Sequence, residues 1–577
     1  MKALIQIENL YFRPESLDPN RPDILRGISL TIDEGEFIAI VGKNGSGKTT
    51  LIKHINGLLF PTHGRVLVDG LDTRLPENRA RLQSLVGMVF QNPADQIVAS
   101  TVEEDVAFGL ENLNLPTSEI RERVAQQLAA AGLTHEAARP PHLLSGGQVQ
   151  KVALAGVLAR HPCVILFDEP TSMLDPQTRQ SFLRRLEQLH RDGLTIIYVT
   201  HHMEEIVNAD KVVLLHNGLA AHMGSPEEIF GGRINLYEIG LEMPETVEIA
   251  ENFRSLGWLS DRPFLAPQAL IDALPDYYDL RNHKTSKVVS PLPRHPTDSF
   301  IQVDDVHYTY LSGSPLAKIA LRGANFIAQQ GSVSAVAGAN GSGKSTLLQH
   351  INGILRPDSG RVRVGKWAVE DPRTPVRDVI REVGLVFQNP EAQFFEVFVG
   401  DEIAYGPKQL NMDRLRERVR QAMEMVGLEF EAFKDRRLET LSGGEKRKVA
   451  LASTLVLDQQ VLLFDEPTAG MDPQARKELI GLFRALRDQG KTIIIASHRM
   501  EELASIAENL SLMHAGTVIQ SGPSAQVFND SAAIQRAGLL PPLSVQISCS
   551  LIEKGWPIQG KDTSTADRLF SVIKDMV

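Results

Sequence analysis

The sequence predicts an α/β fold built twice in tandem, and three observations carry that prediction. Two copies of one glycine-rich phosphate loop, Gly42-Lys-Asn-Gly-Ser-Gly-Lys48-Thr49 and Gly338-Ala-Asn-Gly-Ser-Gly-Lys344-Ser345, stand 296 residues apart. The motifs after each loop recur in the same order at an offset of 297: Gln91 and Gln388, Ser145 and Ser442, Asp168 and Asp465, His201 and His498. Short β-rich runs, such as Val164 to Phe167 and Thr195 to Val199, alternate with amphipathic helical stretches such as Ile120 to Ala131. Strands alternating with helices argue for a largely parallel sheet covered by helices.

Each phosphate loop follows an apolar run that reads as a buried strand, Phe37 to Val41 or Val333 to Ala337, and precedes a helix-like stretch opening at Leu51 or Leu347. Strand, glycine loop and helix together are the context that makes the motif credible. Backbone N–H groups turn toward phosphate oxygens, the helix N-terminus favours negative charge, and the lysine reaches the terminal phosphates. The candidate ligands are Gly42, Asn44, Gly45, Ser46, Gly47, Lys48, Thr49 and Thr50 in the first copy. In the second they are Gly338, Asn340, Gly341, Ser342, Gly343, Lys344, Ser345 and Thr346. The hydroxyl of Thr49 or Ser345 can ligate Mg2+.

Two further apolar runs end in acids, Val164-Ile-Leu-Phe-Asp168-Glu169 and Val461-Leu-Leu-Phe-Asp465-Glu466. Such strands carry their acids to the C-terminal edge of the sheet, where α/β folds place ligands. Asp168 and Asp465 can hold Mg2+, directly or through water. Glu169 and Glu466 can orient or deprotonate an attacking water. Ser145-Gly146-Gly147-Gln148 and Ser442-Gly443-Gly444-Glu445 open long helices with capping-box spacing. The paired glycines leave bare backbone N–H groups at a helix N-terminus, which is an anion site.

The duplication divides the chain into a first domain, 1–232, an appendage and linker, 233–297, a second domain, 298–525, and a second appendage, 526–577. Gly240-Leu and Gly257-Trp258 recur at Gly538-Leu and Gly555-Trp556. Residues 259–297 have no counterpart and carry Pro263, Pro267, Pro275, Pro291, Pro293 and Pro296; their later part reads as a linker.

Composition narrows the function. The 577 residues have room for roughly three or four average domains. A net charge of −11 argues against a general nucleic-acid surface, and no nucleic-acid partner is expected. Two cysteines, Cys163 and Cys549, give no metal spacing and no disulfide framework, and they suit a reducing cytosol. The opening MKALIQIENLYF lacks the apolar core of a signal peptide. No run reaches about 18 apolar residues, so any work on a membrane is expected to pass through a partner.

With Leu144-Ser-Gly-Gly and Leu441-Ser-Gly-Gly in place, both halves resemble ATP-binding cassette ATPases over nearly all of residues 1–225 and 298–525. The resemblance implies two tandem phosphate-loop nucleotide-binding domains, each with a small antiparallel β layer, a helical subdomain and a short C-terminal helical appendage. It implies ATP and Mg2+ as ligands and ATP hydrolysis as the activity. Gln91 and Gln388 then resemble the lid-loop glutamines that sense Mg2+ and nucleotide. Glu169 and Glu466 resemble the catalytic bases, Asp175 and Asp472 the loops that couple the sites, and His201 and His498 the switch histidines. Tyr310 fits the aromatic that stacks on adenine; Pro14 holds the equivalent place in the first half. The family pairs its cassettes head to tail. That would join Lys48, Gln91, Glu169 and His201 with Ser442, and Lys344, Gln388, Glu466 and His498 with Ser145.

The text after each lid glutamine narrows the subgroup. Gln91-Asn-Pro-Ala-Asp-Gln and Gln388-Asn-Pro-Glu-Ala-Gln, each followed by an acidic segment ending Ala-aromatic-Gly, resemble the ATPases of energy-coupling factor importers of vitamins and transition-metal ions. That implies a transmembrane scaffold subunit, a membrane substrate-binding subunit, and a peripheral position at the cytoplasmic face of the cell membrane. The scaffold's coupling helices would enter a groove beside this segment. Glu103, Glu104, Asp105, Asp401 and Glu402 would complement basic residues there, with Val106, Phe108, Ile403 and Tyr405 lining it. Another importer, or a soluble tandem ATPase acting on ribosomes, is the alternative. The latter class usually carries a long charged linker or an N-terminal cysteine cluster, neither of which this chain has.

Overall fold

The computed structural model describes residues 2–14, 22–113, 115–172, 174–231, 234–276, 299–314, 317–469, 471 and 473–576. Asp472 and the later part of the expected linker, with Pro291, Pro293 and Pro296, lie outside the described residues. The chain forms two compact units. The first comprises Met1–Leu174, Thr178–Arg254 and Leu259–Leu270; the second comprises Asp175–Gln177, Ser255–Trp258 and Ile271–Val577.

In the first unit a six-stranded sheet runs, in spatial order, Leu219–Gly224, Lys211–His216, Phe37–Val41, Thr195–Thr200, Val164–Asp168 and Val86–Val89. All neighbours pair in parallel except the first two. The central strands are buried at every position. Their unbroken Ile, Val, Leu and Phe runs have no polar face to offer solvent, which is the composition of a sheet covered on both sides.

A four-stranded antiparallel sheet, ordered Leu25–Asp33, Ala3–Phe12, His63–Val68 and Leu71–Asp72, packs over the helix Lys48–Ile55. Ile5, Leu30, Ile40, Ile52 and Leu166 share that core. Phe167, Phe182, Leu186 and Tyr198 form the core on the opposite face. A separate layer of helices, Val102–Glu111, Thr117–Ala131 and Gly146–Leu158, encloses a cluster around Val106, Leu110, Leu128 and Val152.

The second unit repeats this architecture. Its main sheet is ordered Val383–Val386, Val461–Asp465, Thr492–Ser497, Val333–Ala337, Asn509–His514 and Thr517–Pro523. Its antiparallel layer is Lys318–Gln329, Ser299–Tyr310, Ser359–Val364 and Trp367–Ala368. Its helical layer is Val399–Gln409, Leu415–Met425 and Gly443–Leu455. The α/β class, the antiparallel layers and the helical layers expected from sequence are all present.

The expected appendage helices are Glu245–Ser255 and Leu543–Glu553. Each gives way to a glycine in the left-handed region, Gly257 at φ 78° and Gly555 at φ 85°, which is how helices commonly end. Within the second unit, Trp556 is buried, lies 5.2 Å from the Trp258 ring, and donates from Nε1 to the Pro275 carbonyl at 3.0 Å. The proline-bearing stretch without a counterpart contributes structure to its described part. Pro267–Ala273 is a short helix, and Lys554 Nζ donates to the Ile271 and Leu274 carbonyls at its end. A cation there complements the helix dipole.

Candidate active sites

Each phosphate loop is shaped by two glycines with different constraints. A Cβ at Gly42 would stand 2.3 Å from the Leu215 carbonyl oxygen, and one at Gly338 would stand 2.4 Å from that of Met513. Gly47 and Gly343 sit at φ 102° and 105° immediately before their helices, a conformation side chains rarely adopt. The helices therefore begin at Lys48 and Lys344, one turn earlier than their apolar stretches suggest. Each lysine lies across its own loop. Lys48 Nζ donates to the Gly42 and Lys43 carbonyls at 2.7 and 3.2 Å, and Lys344 Nζ to those of Gly338 and Ala339 at 2.8 and 3.1 Å.

The acid-bearing strands run past these loops. Thr49 Oγ1 donates to Asp168 Oδ1 at 2.9 Å, and Ser345 bonds Asp465 in the same way. Burial pushes both aspartates above the ordinary carboxylate range, and Asp465 Oδ1 is buried with no hydrogen-bond partner. A hydroxyl beside an under-satisfied buried carboxylate is an all-oxygen donor set, which fits a hard divalent cation such as Mg2+.

At Glu169 and Glu466 the chain turns into the left-handed region, both at φ 45°. A non-glycine residue there is strained and needs support. The Glu169 N–H donates to the Val199 carbonyl and that of Glu466 to Ala496, both at 2.9 Å, which holds the turn to the neighbouring strand. Glu169 gathers three groups: Gln91 Nε2 at 3.1 Å, His201 Nδ1 at 3.3 Å and Lys48 Nζ at 3.7 Å. Glu466 gathers His498 Nδ1 at 2.9 Å, Ser497 Oγ at 3.3 Å and Lys344 Nζ at 3.6 Å. Burial pushes both glutamates up, but the histidine and lysine beside each outweigh it and hold the carboxyl below its ordinary range. These carboxylates stay ionised, while the aspartates next to them are harder to ionise.

The sequence profile of the ABC transporter family matches residues 25–172 and 321–469, which takes in both phosphate loops, both acid-bearing strands and both Leu-Ser-Gly-Gly helices. The chain belongs to the ABC transporter family. Over 577 aligned residues it is 32% identical to a "putative ABC transporter ATP-binding protein" of Methanosarcina mazei, covering 97% of this chain and 95% of that protein. A similarly named protein of Caldanaerobacter subterraneus is 32% identical over 94% of this chain and 95% of its own length. The energy-coupling factor transporter ATP-binding protein EcfA1 of Symbiobacterium thermophilum is 49% identical over 255 residues, 44% of this chain and 89% of that protein. The chain is thus a fused tandem ABC ATPase, an ATP-hydrolysing transporter motor.

The ABC signature serines cap their helices as their spacing predicts. Ser145 with Gln148, and Ser442 with Glu445, form complete capping boxes. Ser145, Gly146, Ser442, Gly443 and Gly444 are exposed, and a Cβ at Gly146, Gly443 or Gly444 would meet nothing within 4 Å. Both signatures are therefore exposed at the start of their helices. Asp175 is half-buried and belongs to the second unit. The Tyr310 hydroxyl lies 3.2 Å from Thr346 Oγ1 and 3.3 Å from Gln349 Oε1, over the phosphate-loop helix. In the first unit Pro14 is half-buried, and the neighbouring Arg13 pairs with Asp23 at 2.7 Å.

Three residues escaped the sequence reading. Glu205 is buried and accepts from Thr171 at 2.6 Å, Tyr198 at 2.7 Å and Thr200 at 2.9 Å. It ties the chain just past Glu169 to the residue before His201. Glu502 holds Thr468, Arg476 and Arg499 in the second unit. The signal was the 297-residue offset, which relates Thr171 to Thr468 and Glu205 to Glu502 as it does the catalytic candidates. Arg447, on the second signature helix, donates to the carbonyls of Gln388 at 2.7 Å, Pro467 at 3.1 Å and Ala469. Burial pushes its guanidinium down to about 10.

The segment after each lid glutamine departs from expectation. Asp105 accepts from the Val98 and Ala99 N–H groups, and buried Glu402 accepts from those of Phe395 and Glu396. These acids brace their own loops and are not turned toward a partner. Glu104 is the third residue of the Thr101 capping box. Val106 and Ile403 are fully buried and line no groove. Glu103 is exposed, and Asp401 is exposed but pairs with Lys408 at 3.1 Å. Large apolar side chains face solvent beside these acids: Val98 and Phe108 in the first unit, Phe395, Val397 and Phe398 in the second, with Phe395 73% exposed. Half-buried Tyr405 stacks on Phe395 at 5.3 Å.

Proposed function

We propose that this chain powers micronutrient import of the energy-coupling factor type, acting on a separate transmembrane scaffold and a membrane substrate-binding subunit. The observation that carries this is the exposed apolar rim beside the lid glutamine, present on both units and matching at Val98 and Phe395. An exposed cluster of large apolar side chains marks an interaction surface. The 49% identity of one half to a protein named as an energy-coupling factor ATPase supports the same reading. No helix among the described residues is long and apolar enough to cross a membrane. A motor of this kind would work as a peripheral subunit at the cytoplasmic face, and the vitamin or metal ion would be chosen by its partner.

Each cassette supplies one set of ATP-handling groups in this account. The loop N–H groups of Gly45 to Thr50, and Gly341 to Thr346, bind phosphate with Lys48 and Lys344. Mg2+, held by Thr49, Asp168 and Gln91 or by Ser345, Asp465 and Gln388, would neutralise phosphoryl charge. Glu169 and Glu466, kept ionised, accept the proton of the attacking water, and His201 and His498 hold those carboxylates in position. Tyr310 stacks on adenine in its site. The two cassettes pair head to tail, so that the exposed signature of each completes the site of the other, with Asp175 and Asp472 coupling the two. Each signature helix contributes positive character toward a terminal phosphate only while ATP is intact. Hydrolysis then shifts the pair toward the separated state.

The test is to purify the tagged chain from native membranes in mild detergent and identify what comes with it. A polytopic scaffold and a small membrane protein are expected. Ribosomal proteins, or the chain alone, would overturn the reading.

A further inference from the structure

In the first unit a cavity of about 190 Å3 lies between the helical layer and the sheet core, behind the signature, whose Gly147 forms part of its wall. Its walls come from the helix Thr117–Ala131, the signature helix Gly146–Leu158 and the helix Pro176–Arg191. Much of the lining is apolar, with Leu154, Leu158, Leu174 and Phe182. Two cations, Lys151 and Arg185, also line it, and neither has an ion-pair partner among the described residues. The amide of Gln150 faces the same space; that residue is 2% exposed and its Nε2 has no hydrogen-bond partner. An unpaired buried donor costs roughly 1–3 kcal/mol, so a fold that keeps one calls for an explanation.

The second unit shows what the same fold does when this space has a structural use. At the corresponding positions, 297 residues on, Arg447 replaces Gln150, Glu478 replaces Ser181 and Leu482 replaces Arg185, and at the helix end Val426, which like Ala131 precedes a glycine, replaces Ala131. Arg447 is satisfied by three backbone carbonyls, Lys448 lies 3.8 Å from Glu478, and Val426 and Leu482 join the hydrophobic core. The first unit keeps instead a smaller residue at Ala131, an unsatisfied donor and two unpaired cations.

We infer that this cavity is a binding site for a small aromatic carboxylate. The Gln150 amide and the Lys151 and Arg185 cations would take the carboxylate, and Leu154, Leu158 and Phe182 the ring. The size agrees: an apolar cavity of about 150 Å3 takes a benzene ring, and a carboxylate adds little to that. A ligand seated here touches both the signature helix and the helix Pro176–Arg191. It would tie the helical layer to the core of the first unit alone, giving one of two otherwise similar halves its own small-molecule input.

The probe is 4-fluorobenzoate, titrated into the full chain and followed by fluorine NMR. Saturable binding below about 1 mM is expected for a ligand of this size. Arg185→Leu should weaken it at least tenfold, and Ala131→Leu, which puts a larger side chain into the cavity wall, should abolish it. Benzyl alcohol, with the ring but no charge, should bind at least tenfold more weakly. Both variants should retain ATP turnover, which shows that they fold. Absence of saturable binding to the wild-type chain, or binding that neither substitution changes, would overturn the proposal. The outcome does not depend on which membrane partner the motor drives.

Discussion

Glu169 and Asp168 are chain neighbours with opposite proton affinities, and the difference follows from what each touches. Burial raises both, but only Glu169 has a histidine and a lysine beside it, and they reverse the effect. Removing His201 takes away the larger of those opposing influences and leaves burial. His201→Ala should therefore raise the Glu169 carboxyl and move the acid limb of residual ATP turnover to higher pH. A pH–rate profile on a variant that keeps only the first site active reads this directly; an unmoved limb would show that Glu169 is not the titrating base. The sign for stability runs the same way. A depressed carboxyl stabilises the fold above its unfolded pKa, and that contribution is lost as pH falls through the folded value. The identity of Glu169 was legible because it follows an apolar run behind a phosphate loop. Its left-handed backbone was not, because that turn is set by a hydrogen bond to Val199 on another strand.

At the scale of elements, the sequence spoke clearly where the cause is local. The capping boxes at Thr101, Ser145 and Ser442 require only residues three apart, and all three are formed. It misled where one residue type serves two ends. Acids in the first turn of a helix can face a basic partner or accept from their own loop, and spacing does not distinguish the two. Asp105 and Glu402 do the second. Their bonds hold the loops that present Val98 and Phe395, so the apolar rim depends on the acids behind it. Glu402→Ala leaves two backbone N–H groups without their acceptor and should cost about 2–4 kcal/mol locally. Hydrogen exchange should show it as lost protection at the Phe395 and Glu396 amides, while the strand Val333–Ala337 keeps its own. Unchanged protection at those two amides would remove Glu402 from this role.

For the whole molecule, duplication was the strongest signal, because one offset relates nearly every catalytic candidate to its partner. The repeat also exposes where the halves diverge: Gln150 against Arg447 and His202 against Arg499 at an offset of 297, and Pro14 against Tyr310 at 296. Those differences leave both sets of catalytic candidates intact while giving the two units different supporting contacts. Gln91 reaches Glu169 in the first unit, whereas Ser497 reaches Glu466 in the second. Which unit completes which site was not written in any local pattern, since the signature serines are exposed on both. The central claim is that each signature completes the site of the opposite cassette. Site-resolved trapping of a photoreactive ATP analogue in the Ser145→Arg variant tests it most directly. Labelling should fall at least tenfold at the loop of Lys344 and persist at the loop of Lys48. Loss at Lys48 with retention at Lys344 would contradict the head-to-tail account.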